Sequence, residues 1–461
     1  MGIGYGEVCR LVSRDDFGIN AIEMTRIKVT IRTVGCRANQ ADSATLGRCL
    51  DPSLVTIVDG FAGADVVVIN TCCVTAEAER DCRKMARRAL REAPGSRVVL
   101  TGCAVTAIEN FGKDIEGDVE VRGGGDVPME ELAAWINGKK EIGPDRDIQS
   151  FSGAGRSRAL LKVQNGCDHH CAYCVVPAAR GPERSMPLDE VLDNVDRIAS
   201  SGYRELVLTG VQMGAWGRDL PHGHSLAKLV EAVADRFDVG RIRLSSLEPW
   251  SVGEDLIDVM AGHGRICPHL HIPMQSGDDG ILEAMGRGYT SADLVRVIER
   301  ARAVIPDLAV GTDVLCGFPG ETDAAFDNTL ALLRAINPFL VHAFPYSSRP
   351  RTRAATMSGQ QSRQVARERV RVVRRLGEEM FTGFVEGQIG KVREVIVEER
   401  RSGEINGLTD NFIQVALLGG DPSPGALVTG RLTNLPPGEH HRDHHRVVVL
   451  LDRQSHVCEL S

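Results

Sequence analysis

Cys167, Cys171 and Cys174 stand in the run GCDHHCAYC, directly after the strand-like pattern LLKVQNG. A CxxxCxxC spacing packs three thiolates into eight residues, so all three must serve one object. That object has to sit on a loop at the carboxyl end of a strand, which ties the fold to the chemistry. In (βα) barrels and in open α/β sheets alike, ligands bind at that end. Iron–sulfur clusters take thiolates in tight local runs of this kind. Three ligands are one short of a closed tetrahedral site, so a four-iron cluster held here keeps one iron open to a substrate or cofactor. The alternative is structural zinc with His169 or His170 as the fourth ligand, although zinc motifs usually come as two separated pairs.

Three further cysteines form a second pattern. Cys36 ends IKVTIRTVGC, Cys72 ends DVVVINTC and Cys103 ends RVVLTGC. Each follows a short β-branched apolar run, which reads as a buried parallel strand. The carboxyl ends of such strands share one edge of an open sheet. Three distant cysteines therefore converge on one point and form a second three-thiolate site. The alternative for each is a small buried apolar side chain, a common fate for cysteine.

Composition sets the outer limits. A chain of 461 residues exceeds one ordinary core and points to two or three domains. With 25% charged and 43% apolar residues it reads as soluble and globular. No apolar stretch approaches the roughly 18–20 residues that span a bilayer, and the first residues lack the order of a secretion signal. Thirteen cysteines then suit reduced thiols and metal ligands, and the expected compartment is the cytoplasm. The first strand begins near Arg26, so residues 1–23 are expected to be a loose extension, unless Met24 is the true start. A net charge of −8 argues mildly against a nucleic-acid partner, but the distribution matters more than the sum. Nine arginines and one acid, Glu368, lie between Arg349 and Arg375, and RDCRKMARRALR carries six basic residues against Asp81. Either is a candidate phosphate-binding face or simply a solvated helix surface.

Residues 25–137 alternate strand (near 26–34, 65–70, 97–101 and 118–122) and helix (near 40–50, 76–92 and 127–137). That order implies a parallel sheet, an open α/β domain over 24–137. The polar stretch 138–158 reads as a linker. Six βα units follow within 159–387, with strands expected at 160–166, 204–210, 241–247, 269–274, 308–317 and 339–346. They predict a partial (βα)6 barrel with the CxxxCxxC loop directly after its first strand. From about Ile389 the texture turns to short β pieces, which predicts a small C-terminal β-barrel over 388–453, a fold often used on oligonucleotides. EHHRDHHR reads as a polar loop rather than a metal site.

With the motifs placed, GCDHHCAYCVVPAARG, INTCCVT, TVGCRANQ and GLTDNFIQVAL make essentially the whole chain resemble the radical-SAM methylthiotransferases. That family has the same three parts in order: an N-terminal methylthiotransferase domain, a radical-SAM partial barrel and a C-terminal TRAM domain. LTGVQMGAWG, RIRLSSLEP, HLHIPMQSGDDGILEAMGRGYT and HAFPYSSRPRT are most similar to the branch acting on threonylcarbamoyladenosine at position 37 of tRNA. Cys73 beside Cys72 is a departure from the family pattern, in which Cys72 holds the motif position.

The resemblance implies two 4Fe-4S clusters and S-adenosylmethionine. Cys167, Cys171 and Cys174 would hold the cluster that binds S-adenosylmethionine. One electron would then release a 5′-deoxyadenosyl radical to take hydrogen from carbon 2 of the adenine, a bond no side-chain base breaks at pH 7; such chemistry belongs to cofactors. Cys36, Cys72 and Cys103 would hold the cluster that offers the sulfur, and a second S-adenosylmethionine would supply the methyl group. Tyr173 fits the aromatic found before the last motif cysteine. Gly210, Ser246, Glu248, Gln275 and Asp313 stand at or near expected strand ends and are the expected S-adenosylmethionine contacts, with loop capping as the alternative for each. Arg180 and Arg184 would meet carboxylate or phosphate. No separate catalytic side chain is expected. The implied partners are a tRNA anticodon stem-loop and an electron-donor protein, with no membrane. Isopentenyladenosine-37 of tRNA and an aspartate of a ribosomal protein are alternative substrates. A non-catalytic RNA-binding protein clipped by metal is the alternative of another class.

Overall fold

The computed structural model describes residues 26–125, 127–138, 157–221, 223–401, 404–434 and 447–451. The expected N-terminal extension, nearly all of the 138–158 linker and the EHHRDHHR segment lie outside the described residues.

Near the N-terminus, β1 (Ile27–Thr33), β2 (Val55–Ile57), β3 (Val66–Thr71), β4 (Arg97–Gly102) and β5 (Val119–Val121) form a parallel sheet in the order β2-β1-β3-β4-β5. Between them run α1 (Arg37–Cys49), α2 (Ala76–Glu92), α3 (Cys103–Ala107) and α4 (Met129–Ile136). β3, VVVINT, is buried along its whole length, as a central strand covered on both faces must be. α2 starts where the Thr75 hydroxyl accepts the Ala78 N–H, with Glu77 and Glu79 in its first turn; cap and acids both favour that end. The sequence did not announce β2 and α3, which at three and five residues are too short to show a period.

The second unit contains β6 (Ala159–Asn165), α5 (Val176–Arg180), β7 (Arg184–Ser185), α6 (Leu188–Ser200), β8 (Glu205–Gly210), α7 (Leu226–Arg236), β9 (Arg241–Leu244), α8 (Glu254–Gly262), β10 (His269–His271), α9 (Asp279–Met285), α10 (Ser291–Val304), β11 (Ala309–Cys316), α11 (Asp323–Ile336), β12 (Leu340–Pro345) and α12 (Arg363–Glu386). Parallel ladders β6-β8-β9 and β10-β11-β12 meet through an Ile242–Ile266 bridge, while the two-residue β7 pairs antiparallel with β6. The result is an open barrel of six parallel strands with helices outside. Ala159, Leu161 and Val163 of β6 join the apolar layer with Val191 and Val195 of α6; period-2 alternation turns Lys162 and Gln164 to the other face. β9 and β10 each stop three residues before the expected ends at 247 and 274, so Ser246 and Glu248 lie in the loop beyond β9.

Five strands, β13 (Val392–Arg401), β14 (Glu404–Thr409), β15 (Gln414–Leu418), β16 (Leu427–Asn434) and β17 (Val447–Leu451), close a small barrel in the order β13-β14-β15-β17-β16. It docks at the amino ends of β8, β9 and β10. Buried Arg241 and Arg243 share Glu205 and donate to the carbonyls of Glu394, Leu408, Thr409 and Asp410. Burial alone would raise the Glu205 pKa, but Arg243 and Arg241 hold it far below the usual carboxylate range. Phe412 of the small barrel stacks on His269 at 4.4 Å. The carboxyl ends of the strands are thereby left to the N-terminal unit, whose α1 packs against β6 and β8.

Candidate active site

Cys36 lies three residues past β1 at the N-cap of α1, Cys72 directly follows β3, and Cys103 directly follows β4 as the first residue of α3. Their meeting depends on close backbone approach. Gly35 (φ +114°) stands over Cys72 so tightly that an added Cβ would lie 2.9 Å from the Cys72 Sγ. At Gly102 (φ +90°) an added Cβ would lie 2.2 Å from Asn70 Oδ1. Both positions need glycine. One fully buried side chain joins the three segments. Asn39 Nδ2 donates to Val34 O (2.8 Å) and Thr71 O (2.9 Å), and its Oδ1 is 3.6 Å from Cys103 Sγ. Cys73 turns into the apolar cluster that also holds Cys82 and Cys103. A hydrogen bond with Cys103 raises the Cys73 pKa sharply and lowers that of Cys103. Burial pushes Cys72 up to about 12.

The loop with Cys167, Cys171 and Cys174 is held by its backbone. Cys167 N–H donates to Gly181 O, Cys174 N–H to Cys171 O, and Ala172 N–H to Met285 O. Behind it sits Arg287, a residue the sequence reading passed over. Its Nη1 lies 3.3 Å from both Cys171 Sγ and Tyr173 Oη, its Nη2 pairs with Glu248, and its Nε contacts Tyr289 at 3.3 Å. The buried arginine therefore draws Tyr173, Glu248 and a cysteine sulfur, all half-buried, into one group. Burial raises the Glu248 pKa against the opposing pull of Arg287. His169 packs on Trp250 at 4.8 Å, with its Nε2 and the Trp250 Nε1 buried and without a hydrogen-bond partner among the described residues. Burial raises Cys167 to about 11 and Cys174 to about 12.

The other expected contacts are spread around the barrel. Gly210 lies against Gln164 of β6, whose Oε1 accepts the Gln212 N–H at 2.7 Å. Ser246 is exposed. Gln275 adopts φ +61° and is pinned to β11 by its N–H to Asp313 O and by Leu315 N–H to its own carbonyl. The Asp313 carboxylate faces His271 (3.0 Å) and His342 (3.3 Å), two further residues the sequence reading missed. Burial opposes ionisation there, but the two imidazoles hold Asp313 far below the usual range. Arg184 bonds the Arg180 carbonyl at 3.3 Å. Arg180 spans the two units, with its Nε 3.1 Å from Cys103 Sγ and its Nη2 2.7 Å from Asp42 Oδ2.

Both cysteine sets fit a thiolate-held group. All six side chains are free of disulfides. Burial holds the thiols of Cys72, Cys167 and Cys174 protonated, and a bound metal displaces such protons. A tetrahedral zinc with bonds of about 2.3 Å would gather its sulfurs within about 4 Å of one another. Among the described residues, only His271, Asp313 and His342 gather ligand atoms within 4.8 Å; neither cysteine set does.

The basic segments divide on inspection. In α2, Arg83 pairs with Asp114 and Glu79, and Arg88 with Glu92. In the 349–375 segment, Arg349 is buried against Glu79, and Arg369 against Glu321 and Asp323. Arg351, Arg353, Arg363, Arg367, Arg371, Arg374 and Arg375 remain exposed. No helix among the described residues is long and apolar enough to cross a membrane.

The family model described as "Radical SAM superfamily" matches residues 161–333, and "Uncharacterized protein family UPF0004" matches residues 28–120. A Rickettsia prowazekii protein named "Threonylcarbamoyladenosine tRNA methylthiotransferase MtaB" is 32% identical over 406 residues, 86% of this chain and 93% of that one. A Syntrophobacter fumaroxidans protein named "tRNA-2-methylthio-N(6)-dimethylallyladenosine synthase" is 32% identical over 401 residues, 82% of this chain and 87% of that one. Among solved structures, the radical S-adenosylmethionine methyltransferase TsrM of Kitasatospora setae superposes with a TM-score of 0.52 at 16% identity. That match covers 72% of this chain and 77% of TsrM, and it speaks for the fold.

Proposed function

Because this chain belongs to the radical-SAM tRNA methylthiotransferase family, we propose that it adds a methylthio group to carbon 2 of threonylcarbamoyladenosine at position 37 of tRNA. The observation that carries this reading is that the barrel's three-cysteine loop is followed, six residues after Cys174, by Arg180, whose Nε lies 3.1 Å from Cys103 Sγ of the three-cysteine set on the open sheet. Cys167, Cys171 and Cys174 would hold one 4Fe-4S cluster with S-adenosylmethionine, and Cys36, Cys72 and Cys103 a second. When bound, these groups supply the radical and sulfur chemistry that side chains lack.

The chain's own residues bind, orient and exclude water. Arg287 neutralises Glu248 and orients Tyr173 beside Cys171. Glu248 and Tyr173 are therefore the best-supported of the expected cofactor contacts. Asp313, held by His271 and His342, stays among the expected cofactor contacts. We assign the parts as a methylthiotransferase domain (24–137), a radical-SAM barrel (159–387) and a TRAM domain (388–453). Seven exposed arginines of the 349–375 segment and the TRAM domain would hold the anticodon stem-loop, whose unpaired bases can be splayed out for reading. An electron-donor protein and a cytoplasmic location complete the reading.

Nucleoside mass spectrometry of bulk tRNA, from cells with and without the gene, tests it. The 2-methylthio form of threonylcarbamoyladenosine should vanish with the gene. Loss of the dimethylallyladenosine product instead would keep the chemistry and move the substrate, an outcome made concrete by the relatives that carry that name.

A further inference from the structure

Arg180 belongs to neither cysteine set, yet it touches both halves of the site. It ends α5, six residues beyond Cys174. α5 is itself built into the N-terminal unit, since Val175 and Ala179 share an apolar cluster with Cys73, Cys82 and Cys103. The guanidinium is 2% exposed. Nε lies 3.1 Å from Cys103 Sγ, Nη2 lies 2.5 Å from Asn39 Oδ1 and 2.7 Å from Asp42 Oδ2, and Nη1 lies 2.7 Å from Asn165 Oδ1. Lys162 pairs with the same carboxylate.

Two cations, buried Arg180 and part-exposed Lys162, thus face one carboxylate, which leaves positive charge beside Cys103. Buried charge without compensation is costly. A thiolate-held iron–sulfur cluster is net negative and would supply that compensation. Hydrogen bonds to the sulfurs and local charge, in turn, set how readily such a cluster is reduced. Only a guanidinium presents this fork of donors in one plane.

We propose that Arg180 is a positioning residue for the second cluster: it donates to the Cys103 sulfur, sets that cluster's reduction potential, and ties it to the loop that carries the first. The assignment rests on the two-cluster reading above. It is tested in the full-length chain with Cys167, Cys171 and Cys174 all changed to Ala, reconstituted with iron and sulfide, so that iron binds only at the N-terminal set. Iron content is measured first, then the midpoint potential by a reductive titration followed by electron paramagnetic resonance.

In that background Arg180→Gln should make the cluster about tenfold harder to reduce at a fixed potential, or about 59 mV for a one-electron couple. Arg180→Lys should shift it less in the same direction. Asp42→Asn removes a negative charge and should shift it the opposite way. A latch that only holds two domains together has no reason to give opposite signs. Unmoved potentials, or shifts of one sign in all three variants, overturn the proposal. If Arg180→Gln does not fold, the opposed signs of Arg180→Lys and Asp42→Asn decide. A background chain that takes up no iron overturns the two-cluster reading itself.

Discussion

The two cysteine sets solve the same problem by opposite means. Cys167, Cys171 and Cys174 lie within eight residues, and their loop is shaped by bonds of its own backbone and of Met285. Cys36, Cys72 and Cys103 come from three strands 31 to 36 residues apart and meet only when β1, β3 and β4 pair in register. The first set is local and needs a barrel chiefly for its backing residues. The second is made by the fold, and Asn39, Gly35 and Gly102 are what hold its segments close. A site of the second kind should be the more sensitive to backbone change at a distance from its ligands.

The sharpest way to break the comparison is to remove one ligand from each set. Cys171→Ala should stop both formation of 5′-deoxyadenosine and formation of methylthio product in the reconstituted enzyme. Cys36→Ala should reduce the methylthio product to background while S-adenosylmethionine cleavage continues. Chromatography of both products checks this, and retained product in Cys36→Ala would sink the division of labour. Next in size is Arg287→Leu, which leaves Glu248 buried without its cation. Turnover should fall about 10–100-fold, as for other partners just behind a metal site, with iron at the second set unchanged. Unaltered turnover would reduce Arg287 to a packing residue.

Gly102→Ala probes the fold-made site alone. A φ of +90° and a Cβ 2.2 Å from Asn70 Oδ1 should cost about 1–3 kcal/mol of stability. Iron should be lost from the N-terminal set and retained at the barrel set; equal loss from both would contradict the contrast.

The smallest effect is expected at His269, the first residue of β10. Its ring is buried against Phe412, both nitrogens lack partners among the described residues, and burial first, then nearby Arg243, lowers its pKa well below the usual value. The unfolded chain therefore binds more protons below about pH 6.5, the ordinary histidine value. The stability is present above that pH and is lost as pH falls below it. His269→Phe should flatten that acid-side loss by up to about 1.4 kcal/mol per pH unit, the slope set by one proton taken up on unfolding. Urea melts between pH 5 and 7 read it directly, and an unchanged slope would place the acid sensitivity elsewhere.

Local patterns carried the architecture in the sequence. Alternating β-branched runs and helical stretches announced the parallel sheet, the six-stranded barrel and the C-terminal β-barrel, because each pattern repeats over enough residues to show its period. The same runs put cysteines at three strand ends. The single polar residues behind those cysteines were not legible. Asn39, Asp42, Arg287, His271 and His342 carry no repeat, and their partners depend on how α1 seats on β6 and how β10, β11 and β12 register. In the sequence Arg180 reads only as a cation that would meet carboxylate or phosphate. Its carboxylate partner, Asp42, lies 138 residues earlier in the chain.

The most direct test of the account is a count of iron and acid-labile sulfide per chain after anaerobic reconstitution, in the unaltered protein and in two triple-alanine variants. With two 4Fe-4S clusters the unaltered chain should hold about eight irons. Changing either Cys36, Cys72 and Cys103 or Cys167, Cys171 and Cys174 should leave about four. An unaltered chain with only about four irons, or one whose count survives loss of Cys36, Cys72 and Cys103, would contradict it.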